Sequence, residues 1–243
     1  MKVVTFFTEK GGTGKTTFNI MLSSYLAYHR KLKVLALDCD CPAFHTFQLR
    51  ERELEAYKEN AKEIDKKLSQ DVEIYPIVKV DDLYSNVEKV INNLFNLKKK
   101  DEYDYVIFDL PGSLANNAVN KLISANIIDE FYLLTDLDKQ VIVSNIKLSQ
   151  ALQNLGATVQ VVWNRVFAFE KADLYEANTK LLEEHYNIKV NPFRIKNSIK
   201  FRREFGFDTE FIRSTLCYPV KNLEKNNINL NNLFDNITQN GRL

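Results

Sequence analysis

The sequence predicts an α/β protein, a doubly wound and mostly parallel sheet with helices on both faces, and three observations carry that expectation. Short apolar runs alternate with longer amphipathic ones, as strands joined by crossover helices do. The runs beginning at 34, 105 and 159 are almost continuously apolar, which suits strands covered on both sides. Three of the seven glycines fall within the four residues Gly11 to Gly14, between an apolar run and a helical one. A backbone so rich in glycine can turn tightly and converge its N–H groups on one large anion.

Taken in order, Val3 to Thr8 reads as the first strand, and residues 15–29 as the helix that the glycine turn opens. Strands follow at Val34 to Asp38, Val72 to Val78, Tyr105 to Asp109, Phe131 to Thr135 and Val159 to Trp163. Between and after them, amphipathic spacing predicts helices over 48–69, 81–98, 114–125, 139–155, 171–185, 198–205 and 229–238. The last lies in an Asn-rich tail where Leu230, Leu233, Phe234 and Ile237 keep helical spacing. Residues 1–243 fit one domain, and ligands of such sheets sit beyond the carboxyl ends of the strands.

Bulk properties narrow the class. Lys plus Arg number 33 against 32 Asp plus Glu, so any nucleic-acid surface must be a local concentration of charge. Three cysteines, an odd number, make no disulfide framework, and a reducing cytoplasm is the simpler setting. Cys39 and Cys41 lack the further ligands that a metal site needs. No apolar run approaches a membrane span, and the N-terminal run is too short for a signal-peptide core, so a soluble intracellular protein is expected.

Glu9-Lys10-Gly11-Gly12-Thr13-Gly14-Lys15-Thr16-Thr17 departs from the P-loop pattern in having Glu9 where the first glycine belongs. It resembles the deviant Walker A loop of the ParA/MinD family of P-loop ATPases. That resemblance implies binding of ATP and Mg2+ and an ATP-state homodimer, in which Lys10 reaches the partner's phosphates. It also implies that Gly11, Gly12, Thr13, Gly14, Lys15, Thr16 and Thr17 cradle the nucleotide.

Asp38-Cys39-Asp40-Cys41-Pro42 resembles the family's D-x-D-P segment, with Cys41 inserted. Asp40 would then position the attacking water and help to hold the magnesium shell. Four apolar residues ending in Asp109 form a Walker B arrangement, in which Asp109 holds magnesium beside Thr16. Pro111 and Gly112 end that strand as a switch sensing the terminal phosphate. Val161-Val162-Trp163-Asn164-Arg165 resembles the family's adenine-reading segment, which carries Asn164 and Arg165 over as nucleotide contacts; Lys196 stands where the family's other adenine wall has proline. Phe201-Arg202-Arg203-Glu204, Phe211 to Leu216 and Asp38-Cys39-Asp40 look like the ParA-like proteins of Bacteroidetes conjugative transposons.

The expected function is therefore a slow regulatory ATPase that cycles on and off DNA during partition or transfer of a plasmid or transposon. Its partners would be non-specific DNA and a ParB-like or other protein that stimulates hydrolysis, with no membrane. Lys200, Arg202 and Arg203 are the candidate DNA contacts, with Arg202 and Arg203 three and four residues after Ile199 on the helix expected over 198–205. Two rivals stand beside this reading: a nucleotide-dependent interaction module with little hydrolysis, and a MinD-like membrane-cycling ATPase. The second needs a basic amphipathic tail helix, and Asn231 to Ile237 carries an acid and no lysine.

Overall fold

The computed structural model describes residues 1–64, 73–112, 117–204 and 211–239. Its strands are β1 (Lys2–Phe7), β2 (Val34–Asp38), β3 (Ile77–Lys79), β4 (Tyr105–Asp109), β5 (Glu130–Thr135), β6 (Thr158–Trp163) and β7 (Lys189–Val190). They form one parallel sheet in the order β3-β2-β4-β1-β5-β6-β7. The helices are α1 (Lys15–Ser24), α2 (His45–Ile64), α3 (Leu83–Lys100), α4 (Asn117–Ser124), α5 (Lys139–Asn154), α6 (Ala172–Lys180) and α7 (Val220–Gln239). α1 and α6 each run on into a five-residue π-helical stretch, Tyr25–His29 and Leu181–His185.

Strand alternation builds the two layers. Val3 and Phe7 of β1 face a core completed by α3, α4, α5 and α6, with Leu94, Leu122, Leu152 and Tyr175 packed into it. Val4 and Phe6 face the other side, where Phe18 and Leu22 of α1 meet Leu230, Leu233, Phe234 and Ile237 of α7. All four α7 residues have no exposed surface, so the stripe legible in the Asn-rich tail is consumed by the core. Among the described residues, no helix is long and apolar enough to cross a membrane.

The adjacent strands β1 and β4 send the chain to opposite faces, β1 into α1 and β4 towards α4. A crevice opens at the carboxyl ends of such a pair, so the end of β4 and the start of α1 meet there.

Four elements differ from the sequence expectation. The strand expected over Val72 to Val78 is only Ile77–Lys79, because Pro76 has no N–H to give a ladder; its carbonyl instead accepts from Ala36 N at 3.0 Å. Val72 itself lies outside the described residues. β7 is two residues long, too short to show a period. α7 begins at Val220, after Pro219, nine residues earlier than the apolar spacing showed.

The helix expected over 198–205 is a single 3₁₀ turn, Ile199–Arg202, with residue 205 outside the described residues. At Arg203 the chain is already extended, and its carbonyl accepts from Ile212 N and Arg213 N. Pairing with a distant segment outweighs a helix too short to sustain itself. Arg202 stays on the face of Ile199, three residues on in a 3₁₀ turn, while Arg203 lies beyond the turn and leaves that face.

A buried polar knot fastens α2 to the segment before α7. Thr215 N donates to Glu53 Oε2 at 2.8 Å, while Arg50 Nε and Nη2 donate to the Thr215 hydroxyl and carbonyl, each at 2.8 Å. Glu53 is fully buried, and burial pushes its carboxyl up to about 7 against the bonds from Thr215 and the charge of Arg50. An acid whose pKa is higher folded than unfolded holds more protons when folded, so its contribution is greatest below about 4.5 and is lost as pH rises through about 7. Urea unfolding across this window should show the parent losing up to ~1.4 kcal/mol per pH unit more than Glu53→Gln. Parallel curves would mean that Glu53 titrates alike in the folded and unfolded chains.

Candidate nucleotide-binding site

The loop between β1 and α1 has positive φ at Gly12 (72°) and Gly14 (107°), the conformation that excludes other residues there. Gly14 is the N-cap of α1 and makes no side-chain capping bond, which leaves the first-turn N–H groups without a cap. A Cβ at Gly11 or Gly12 would meet nothing within 4 Å, so the space beside both glycines is open. Those donors and the positive end of the helix dipole suit a phosphate chain.

Lys15 projects from the first turn across to the end of β4. A Cβ built at Gly112 would lie 2.7 Å from Lys15 Nζ, so the ammonium rests over that glycine. Beneath it, Asp109 accepts from Thr16 Oγ1 at 3.2 Å, Asn19 Nδ2 at 3.0 Å and Thr46 Oγ1 at 3.0 Å. Burial raises the Asp109 carboxyl to about 6, with a further push from Asp38; the three donors oppose both. The Thr16 hydroxyl and the Asp109 carboxylate are the oxygen pair that a hard divalent cation favours.

Asp38 and Asp40 divide their work. Asp38 is buried and accepts from Asp40 N at 3.3 Å and Phe47 N at 3.0 Å, holding the turn that leads into α2; burial raises its pKa. Asp40 is only half-buried, and its carboxylate lies 3.9 Å from His45 Nδ1. Cys39 is buried, its thiol pushed up by that burial, and Cys41 is exposed. Among the described residues, no cluster of three His, Cys, Asp or Glu side chains could hold a metal by itself.

On the far side of the loop, Asn164 Nδ2 donates to the Thr13 carbonyl at 2.9 Å, and the Arg165 guanidinium donates to the Gly12 carbonyl. Both border a cleft of about 480 Å³, walled by Thr17, Phe18, Phe201 and Arg202 among others. Lys196 lines the same cleft, and its segment is held by a bridge to Val166. Lys10 turns away from the loop to an exposed ion pair with Asp138 at 3.2 Å.

The structure thus brings Gly12, Thr13, Gly14, Lys15, Thr16, Thr17, Asp109, Asn164 and Arg165 together; Lys10 is held in an ion pair with Asp138, and Asp40 lies beside His45 on the turn after β2. Of the expected DNA contacts, Arg202 lines the cleft, Lys200 shares its 3₁₀ turn, and Arg203 caps the end of that turn.

Sequence reasoning missed Asn19, Thr46 and Arg213. Asn19 had a signal: one amide in the apolar run Phe18 to Leu22, one turn beyond Thr16. Its Oδ1 accepts from Phe6 N at 2.8 Å, so it also ties α1 to β1. Thr46 and Arg213 reach the site from 63 and 196 residues away from their partners, and no local pattern announces either.

A glycine loop that opens a helix after the central strand, with the neighbouring strand's carboxylate bonded to that helix's second residue, is the arrangement of a P-loop nucleotide-binding protein. Comparison with known families agrees. A family model described as AAA domain matches residues 1–129, and the chain belongs to that family as a ParA/MinD-type P-loop ATPase.

The chain is similar to a virulence plasmid ParA family protein of Chlamydia psittaci, with 26% identity over 255 residues, 97% of this chain and 95% of the relative. Its fold is similar to that of the cell division ATPase MinD of Pyrococcus furiosus, with a TM-score of 0.67 and 21% identity over 98% of each chain. A putative plasmid partition protein of Borrelia burgdorferi, bound to AMPPNP, matches 83% of this chain and 87% of its own at 18% identity, with a TM-score of 0.55.

Asn19→Ala should cost about 1–3 kcal/mol, because it strips a buried donor from Asp109 and leaves the Phe6 N–H without its acceptor. Urea unfolding measures this, and a loss below ~0.5 kcal/mol would show that water replaces the amide.

Proposed function

We propose that the protein binds Mg-ATP, closes into an ATP-sandwich homodimer and hydrolyses ATP slowly to reset itself. In this reading it cycles on and off DNA during partition or transfer of a plasmid or transposon, with a ParB-like or other partner stimulating hydrolysis. The observation that carries it is the Thr16–Asp109 pair at the foot of the glycine loop, with the Lys15 ammonium over Gly112 beside it. Relatives named for plasmid partition, one of them bound to AMPPNP, support the same direction.

The residues present fit magnesium and a nucleotide: two hard oxygen ligands, an open cradle and a cation beside it. Bound magnesium would neutralise charge on the phosphates. Thr16 and Asp109 would hold it, Lys15 would bind the terminal phosphates, and the loop N–H groups would orient the chain. Asn164 and Arg165 would border the nucleoside. Lys10, held only by an exposed ion pair that contributes little, is available to a partner protomer.

Lys15→Ala should abolish nucleotide binding. Lys10→Ala should bind nucleotide like the parent and remain a monomer with ATP, as read by light scattering after size exclusion. A Lys10→Ala protein that dimerises with ATP as the parent does would remove Lys10 from the interface.

The second reading, binding with little hydrolysis, is favoured by one observation: the Asp40 carboxylate lies 3.9 Å from His45 Nδ1, whereas the hydrogen bonds to Asp109 come from Thr16, Asn19 and Thr46. Asp40→Ala decides between the two. If Asp40 positions water, the variant should bind ATP normally and keep the dimer at least tenfold longer; unchanged turnover would exclude that role.

The DNA contacts are assigned to Lys200, Arg202 and Arg203, and such contacts would read phosphates and no base edges. With nucleotide saturating, duplex binding should weaken with salt at a log–log slope of about −0.9 per phosphate, and Arg202→Ala/Arg203→Ala should flatten it by about 2. Equal slopes would leave these arginines as cleft and surface residues only.

A further inference from the structure

Arg213 belongs to the segment packed outside α1, and nothing in its local sequence marks it as part of the site. Its Nη1 donates to Thr17 Oγ1 at 3.4 Å, and it stands in the wall of the 480 Å³ cleft. Its Nη2 pairs with Glu204, which also holds Arg52 of α2 at 3.4 Å. Its Nε is buried without a partner, one of three such side-chain atoms among the described residues. A donor so placed costs stability until an acceptor reaches it.

The position of Thr17 says which acceptor fits. Thr16 turns its hydroxyl to Asp109, on the side where metal and terminal phosphates would lie. One residue further round the helix, Thr17 faces the cleft shared with Phe18 and Asn164, where a nucleoside would lie. A nucleotide spanning the two must pass its first phosphate, the one joined to the ribose, beside Thr17. The Nε and Nη groups of a guanidinium form a planar fork that grips a phosphate through two parallel bonds.

We propose that Arg213 is a nucleotide-binding residue whose fork takes the ribose-linked phosphate, and that in doing so it withdraws from Glu204. The inference rests on the nucleotide reading of the loop. Occupancy of the cleft is thereby exchanged against the Glu204–Arg213 pair, and Glu204 is left to Arg52. Nucleotide and Glu204 compete for one guanidinium, so the two partners must have opposite effects on affinity. A merely structural pair would give effects of the same sign.

The test is calorimetric titration of ADP and of AMPPNP into the parent, Arg213→Met, Arg213→Lys and Glu204→Gln. Arg213→Met should weaken both ligands by the same factor, about tenfold, since they share the phosphate in question. Arg213→Lys, which keeps the charge and loses the fork, should fall between, and it serves if the methionine variant does not fold. Glu204→Gln should bind both ligands a few-fold more tightly. Parental affinity in both Arg213 variants, or weakening by Glu204→Gln, overturns this inference alone. A parent that binds neither ligand overturns the nucleotide reading and the role of Arg213 with it.

Discussion

One buried carboxylate holds the working end of this protein together. Asp109 ends a strand whose residues are all buried, and donors from two helices converge on it, Thr16 and Asn19 from α1 and Thr46 from α2. The three hydrogen bonds only partly offset the cost of burying its charge beside Asp38, which is why its acidity is weakened. The bonds from Thr16 and Asn19 tie the start of α1 to the end of β4, beside the glycine loop, and the bond from Thr46 ties α2 to the same point.

What the sequence disclosed follows from how local the chemistry is. A P-loop places glycines, a lysine and a hydroxyl within a few residues and a carboxylate at the end of a neighbouring strand, so residues 11–17 and Asp109 stand out as candidates from local pattern alone. The parallel sheet was legible for a related reason: buried central strands are continuous apolar runs, and β2, β4 and β6 each show one.

Where contacts are long-range, local pattern misled. The spacing of Ile199, Arg202 and Arg203 matches a helix, yet the backbone there is committed to Ile212 and Arg213, a pairing invisible to any window of that length. Nothing adjacent to Arg213 pairs it with Thr17, and its place beside Thr17 depends on how the segment after 211 folds back over α1. Polar residues that serve the fold, such as Glu53 and Arg50, are equally silent, because their partner Thr215 is more than 160 residues away.

The two margins of the sheet carry a different message. β3 offers three residues, and Lys79 there lies over the rings of Phe44 and Phe47, 5.4 and 4.5 Å from their centroids; β7 offers only two. Borders so brief, one of them guarded by a cation, give a second sheet almost no ladder to extend. Strand addition thus finds little ladder at either margin, and helices and loops supply most of the surface through which copies of this molecule could meet.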